Sequence, residues 1–135
     1  MKKIRGITII ELLIVLTIIS ILTALAVVIY SSQVLQGRRS DGVNSLLAIS
    51  LAEEEYRTNN TTYGTLAQVW NNVSASTGGY YTLSISNVSA SSYTLTATAQ
   101  GAQASDAEGS TSCTTLQMAV SSGTVTQTPA ICWPQ

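Results

Sequence analysis

The chain has 135 residues, enough for one domain plus an apolar segment, with 45% hydrophobic residues, only 10% charged ones and a formal net charge of −1. It contains no His, which excludes imidazole-based catalysis and ordinary His-containing metal sites. All six basic residues lie at or before Arg57, and from Thr58 to Gln135 the only charges are Asp106 and Glu108; that stretch has no cations with which to displace counterions from nucleic-acid phosphates.

The chain opens on a short basic leader, Met1-Lys2-Lys3-Ile4-Arg5-Gly6, which runs into Ile7-Thr8-Ile9-Ile10-Glu11. Leu12 to Ile29 then gives 18 uncharged residues, with only Thr17, Ser20 and Thr23 as polar interruptions. At about 1.5 Å per residue this just spans a bilayer, and Lys2, Lys3 and Arg5 mark its cytoplasmic side. A secretory signal peptide fits poorly: the apolar run is long, Glu11 opens it, and no clean small-x-small site follows Ile29. A plain single-pass anchor accounts for length and charge, but not for Gly6 before Ile7 or for Glu11. A carboxylate at the mouth of such a helix is costly and calls for a partner. Cutting the chain after Gly6 creates one, the new ammonium of Ile7, and leaves a side-chain charge of 3 − 7 = −4. Packed among apolar helices, one subunit's Ile7 ammonium can meet the Glu11 of its neighbour; removing one member of such a buried pair costs about 3–5 kcal/mol. Glu11 also complements the helix dipole, for about 0.3–1 kcal/mol, and the two roles are compatible.

From Ser31 the character changes. Arg38-Arg39 and Ser40-Asp41-Gly42 are polar, and Val43, Leu46, Leu47 and Leu51 recur at helical spacing. One long helix is expected from about Ile7 to Thr58, apolar all round in its first half and amphipathic in its second, with weak points at Gly37 and Gly42. Asn59-Asn60 is the expected stop. Arg38 and Arg39 admit two readings: pairing with Glu53, Glu54 or Glu55 of neighbouring copies, or a solvated charged face. Three consecutive glutamates on a helix point in different directions and make no metal cluster.

Beyond the helix, Leu66 to Asn71 reads as a short helical piece in a loop, with Trp70 as an anchor. Strands are expected at Tyr80–Ser86, Tyr93–Ala99, Thr114–Val120 and Thr124–Gln127, with Tyr81, Leu83, Ile85, Tyr93, Leu95, Ala97, Ala99, Leu116, Met118 and Val120 facing inward. Gln100 to Ser112 reads as an Ala/Gly/Ser-rich loop. Cys113 and Cys132 bracket the last two strands. They suit a structural staple, worth about 3 kcal/mol for a loop of this length; a redox-active pair is the alternative, though the spacing is not Cys-x-x-Cys.

The amino-terminal pattern (Gly6, Ile7, Ile9, Glu11, Leu12, Leu13, Ile14, Val15 and Tyr30) resembles the prepilin signature of type IV pilins. The resemblance implies cleavage between Gly6 and Ile7 by a prepilin peptidase, N-methylation of Ile7, and assembly through Glu11. Ile7 stands where that family most often has Phe, Ser20 where Gly is common, and Val28 where a proline usually kinks the helix. The strands, Cys113 with Leu116, and Cys132-Trp133 look most like the minor-pilin branch, which implies a C-terminal disulfide loop between Cys113 and Cys132. The implied fold is α+β, a long N-terminal helix packed against a four-stranded antiparallel sheet. Its parts are a cleaved leader (1–6), a transmembrane and filament-core helix (7–34), and an amphipathic half-helix with a globular head (35–135).

The implied function is that of a structural subunit of a type IV pilus, minor or major, in a filament for adhesion, twitching motility or DNA uptake. No enzyme activity, cofactor or metal is expected. Expected partners are other pilin subunits, the prepilin peptidase, the inner-membrane assembly machinery and the inner membrane itself. The location follows: inner membrane before assembly, extracellular pilus after it, with the head periplasmic or extracellular. Two alternatives stand beside this reading, a type II secretion pseudopilin and a DNA-binding competence pilin. The cation-free stretch after Arg57 argues against the second, and nucleic acid is not an expected partner.

Overall fold

The computed structural model describes residues 7–134. They fall into two compact units, one ending at Val34 and one beginning at Leu35. Helix α1 runs from Ile9 to Asn59, close to the expected limits, and is helical through Val28, Gly37 and Gly42 alike. The absence of proline at 28 fits that continuity, since no backbone donor is lost there.

In the first unit, the large apolar side chains from Ile9 to Val27, with Ile29 and Tyr30, stand 46–81% exposed. This helix is long and apolar enough to cross a membrane. Its polar interruptions are satisfied within the helix. Thr17 Oγ1 donates to the Ile14 carbonyl at 2.7 Å, Ser20 Oγ to Leu16 at 2.7 Å and Thr23 Oγ1 to Ile19 at 2.9 Å. Hydroxyls bonded back to their own helix leave no polar group for hydrocarbon to strand.

In the second unit, the α1 residues Arg39, Val43, Leu46, Ile49 and Glu53 form the buried stripe. Val43 and Leu46 are inward as their spacing suggests, whereas Leu47 and Leu51 are 43% and 73% exposed. The stripe follows 39, 43, 46, 49 and 53, and its polar ends conceal it from a hydrophobic-only count. Gly42 allows a close approach: a Cβ there would lie 3.0 Å from the Tyr81 ring.

A four-stranded antiparallel sheet packs on this stripe in the order β1-β2-β5-β6. Its strands are β1 (Tyr81–Ser86), β2 (Ser92–Ala99), β5 (Thr115–Ser121) and β6 (Thr124–Thr128). Leu83 pairs with Ala97, Leu95 with Met118, Ala97 with Leu116 and Tyr93 with Val120. These register partners share one face by strand alternation, and with Val43, Leu46 and Ile49 they make the core. Ile85, expected inward, packs on its margin and is partly buried. Short helix α2 (Leu66–Trp70) is started by the Thr65 N–H donating to Gln68 Oε1 at 2.8 Å, and Trp70 packs partly buried against the core.

The segment expected to be a plain loop, Gln100 to Ser112, is structured. It forms a 3-10 turn (Gly101–Ser105) and a hairpin of β3 (Ala107–Glu108) with β4 (Thr111–Ser112). Long-range polar contacts order it. Buried Gln103 donates to the Leu35 carbonyl at 2.9 Å and to the Tyr81 hydroxyl at 3.0 Å. Cys113 and Cys132 form a disulfide across 19 residues of sequence, with Trp133 buried beside it at 4% exposure.

Candidate functional site

Two sets of residues carry the functional argument, one in each unit. In the first, Ile7 is 77% exposed and Glu11 is exposed two residues into α1. Thr8 caps the helix: its Oγ1 accepts the Glu11 N–H at 3.3 Å, and its carbonyl accepts the Leu12 N–H at 3.1 Å. An oxygen-bearing cap followed three residues later by Glu is a helix-start signal, written in the sequence as Thr8-Ile9-Ile10-Glu11. The sequence reading used Glu11 and overlooked Thr8. The cap fixes where the helix begins, with Glu11 in its first turn. Gly6 and the basic leader lie outside the described residues.

In the second unit the site residues are arginines and the acids that hold them. Arg39 is buried and grips Asp106 with both arms of its fork, Nε to Oδ2 at 2.7 Å and Nη2 to Oδ1 at 2.9 Å. Its Nη1 donates to Glu108 Oε2 at 3.1 Å. The hydrogen bond to Asp106 is the main reason the guanidinium is held above its usual pKa, against the opposing effect of burial. This corrects both readings of Arg39, a pair with a neighbouring copy and a solvated face, because the side chain is buried and its three hydrogen bonds go to Asp106 and Glu108 of its own head. Arg38 stacks over the Tyr80 ring, 4.7 Å from its centroid. Arg57 donates to the Asn60 carbonyl at 2.6 Å and the Ala90 carbonyl at 3.2 Å. Each arginine of the described residues thus has an internal partner.

The three glutamates diverge as helical geometry requires. Glu53 points into the core, is fully buried, and accepts the Gly64 N–H at 2.7 Å. Burial pushes its carboxyl pKa up, and the Gly64 bond opposes that only in part. Glu54 accepts the Tyr63 hydroxyl at 3.1 Å, and Glu55 is exposed. The exposure expected of a Glu run hid the buried role of Glu53. Among the described residues no group of three or more His, Cys, Asp or Glu side chains gathers to hold a metal. A groove of about 1130 Å³ runs between α1 and the α2 region, lined by Asp41, Asn44, Ala48, Trp70, Val73 and Leu83 among others.

Two family models match the chain. The model described as "Type IV minor pilin ComP, DNA uptake sequence receptor" matches residues 29–117, more than half of the chain. The model described as "Prokaryotic N-terminal methylation motif" matches residues 1–27. A search of curated proteins finds no match.

Proposed function

This chain belongs to the type IV minor pilin ComP family, and from that premise we propose that it is a pilus subunit whose exposed apolar helix is its means of assembly. The observation that carries the reading is the band of apolar side chains from Ile9 to Val27, with Ile29 and Tyr30, 46–81% exposed and headed by one carboxylate. Such a surface is stable in lipid or against other helices of the same kind, and nowhere else. The chain waits in the inner membrane and is cut between Gly6 and Ile7. The Ile7 amine is methylated, and the helix then leaves lipid for a filament core. There Glu11 takes the Ile7 ammonium of an adjacent subunit, which fixes the axial stagger. The capped helix start supports that reading, because it sets Glu11 in the first turn of the helix, four residues from Ile7.

The test is mass spectrometry on sheared filaments and on membranes from the producing cell. A methylated peptide beginning at Ile7 is expected in the filament fraction. Gly6→Leu should abolish it, and Glu11→Ala should leave mature chain in the membrane with little in filaments. Normal incorporation of Glu11→Ala would sink the ion-pair account; a mature chain from Gly6→Leu would sink the cleavage site.

A second reading, a filament for DNA uptake, is favoured by one observation, the DNA uptake sequence receptor in the family's description. The side chains from Leu35 onward sum to 3 − 6 = −3, from Arg38, Arg39 and Arg57 against Asp41, Glu53, Glu54, Glu55, Asp106 and Glu108. Phosphate binding on that background has to recruit Arg38 from Tyr80 or Arg57 from its carbonyls. Duplex binding by the full chain in detergent, measured against salt, tests this. A log–log slope near zero would remove direct phosphate contacts.

A further inference from the structure

Helix α1 ends at Asn59, and the chain doubles back so that Gly64 returns to Glu53. The meeting is close and dry. Glu53 is 0% exposed and Gly64 is buried. A Cβ on Gly64 would lie 2.5 Å from Val69 Cγ1 and 3.2 Å from the Tyr56 ring, so this seat suits glycine alone. Glu53 Oε2 accepts the Gly64 N–H at 2.7 Å, and Oε1 is buried with no hydrogen-bond partner among the described residues. Tyr63 ties the same segment to the sheet. Its N–H donates to the Ser89 carbonyl between β1 and β2 at 3.0 Å, and its ring meets the Tyr93 ring edge-on, 4.6 Å between centroids. Residues 61–64 therefore bridge α1 and the β1–β2 connection, with the Glu53 carboxyl at the joint.

A carboxylate out of water needs a cation or several donors to be stable. Glu53 has one donor. Among the described residues the ion pairs are both made by Arg39, so no cation answers it. From α1, Glu54 adds repulsion, Tyr56 is a phenol, and Arg57 gives its donors to the Asn60 and Ala90 carbonyls. The segment itself brings the Tyr63 hydroxyl, which donates to Glu54 at 3.1 Å, and β2 brings the Tyr93 hydroxyl, which bonds Ser50 at 2.9 Å. Helix α2 carries no titratable side chain. A neutral Glu53 leaves one O–H unbonded, a smaller cost than a buried charge.

We propose that Glu53 and Gly64 form a pH-sensitive latch. With the carboxyl neutral, residues 61–64 are held on α1. With it ionised, they lift away, and Tyr63 leaves Ser89 and Tyr93 while the sheet stays folded. Linkage fixes the direction. Burial holds the closed latch's proton above the ordinary carboxylate range, and lifting gives the carboxyl back to water and to its ordinary value. Below that ordinary value the latch is closed at full strength. As pH rises from there to the raised value, the open fraction grows about tenfold per pH unit, and above it the fraction levels off. The latch belongs to the head alone and is independent of the pilus reading.

The test is amide hydrogen exchange of the full chain in detergent, read by NMR from about pH 4.5 to about pH 8.5. Each rate is divided by that of an unstructured chain at the same pH. Protection of the Tyr63 and Gly64 amides should fall about tenfold or more across this range. Both should stay less protected than the Leu95 and Thr96 amides of central strand β2 at every pH, because the segment opens with the sheet intact. Glu53→Gln keeps an acceptor for the Gly64 N–H and has no proton to lose, so protection in that variant should stay flat. Unchanged protection of Gly64 across the range overturns the proposal. Protection at Gly64 equal to that of β2 also overturns it, since the whole head would then open together, and so does an equal fall in Glu53→Gln. The first two comparisons use the unaltered chain and do not depend on the variant folding.

Discussion

Removing the Arg39 guanidinium with Arg39→Met should unlock the head. Asp106 is 2% exposed and would be left buried without its cation; Glu108, at 38% side-chain exposure, can turn to water. Breaking a buried pair by deleting one partner costs about 3–5 kcal/mol. A domain of this size has about 5–15 kcal/mol in all. Since about 1 kcal/mol moves the midpoint of a small domain by 4–8 °C, the head should melt at least about 12 °C earlier. The assay is near-ultraviolet circular dichroism of the full chain in detergent, where buried Trp133, Tyr81 and Tyr93 report head packing. Arg39→Met/Asp106→Asn should recover about 2 kcal/mol of the loss, because the stranded charge is gone. A single-variant loss below about 1 kcal/mol, or a double variant no more stable than Arg39→Met, would refute the idea that a buried charge pair anchors the β3–β4 region to α1.

Three further outcomes are expected. Glu53 has its folded-state pKa raised by burial, so the native head holds that proton more tightly than the unfolded chain does. Stability should therefore rise as pH falls through the raised value towards the ordinary carboxylate range, and Glu53→Gln should remove that component of the pH–stability profile. Gly37→Ala, with nothing within 4 Å of the new Cβ, should add about 0.5–1 kcal/mol, whereas Gly42→Ala, whose Cβ meets the Tyr81 ring at 3.0 Å, should destabilise in the same melt. Reducing Cys113–Cys132, or replacing both with Ser, should cost about 3 kcal/mol by denaturant titration.

The strands and their inward faces were legible because Tyr81-x-Leu83 and Tyr93-x-Leu95-x-Ala97-x-Ala99 alternate cleanly, and local alternation is what a half-buried sheet requires. The long apolar helix was legible for a similar reason: the uncharged run from Leu12 to Ile29 is far too long for a strand and suits a helix. What escaped was non-local. Asp106 and Glu108 stand in the sequence only as the two charges after Arg57, and nothing local ties them to Arg39, 67 and 69 residues away. Gln103 looked like loop filler until it reached Leu35 and Tyr81. Leu47 and Leu51 looked like core because a hydrophobic count cannot see that Arg39 and Glu53 take positions on the buried stripe. The Thr8 cap escaped although Thr8-Ile9-Ile10-Glu11 spells a helix start.

The disulfide also bears on how the molecule answers a pull. A chain drawn out by its ends lengthens by roughly 3.3–3.6 Å for each residue released. The bond between Cys113 and Cys132, separated by 19 residues, withholds roughly 60 Å of that extension. Strands β5 and β6 both lie inside the closed loop, so tension that peels β1 and β2 away cannot run on through them. A subunit stretched within a fibre under load would stop at this covalent limit with its last hairpin unextended, and refolding would begin from strands already side by side.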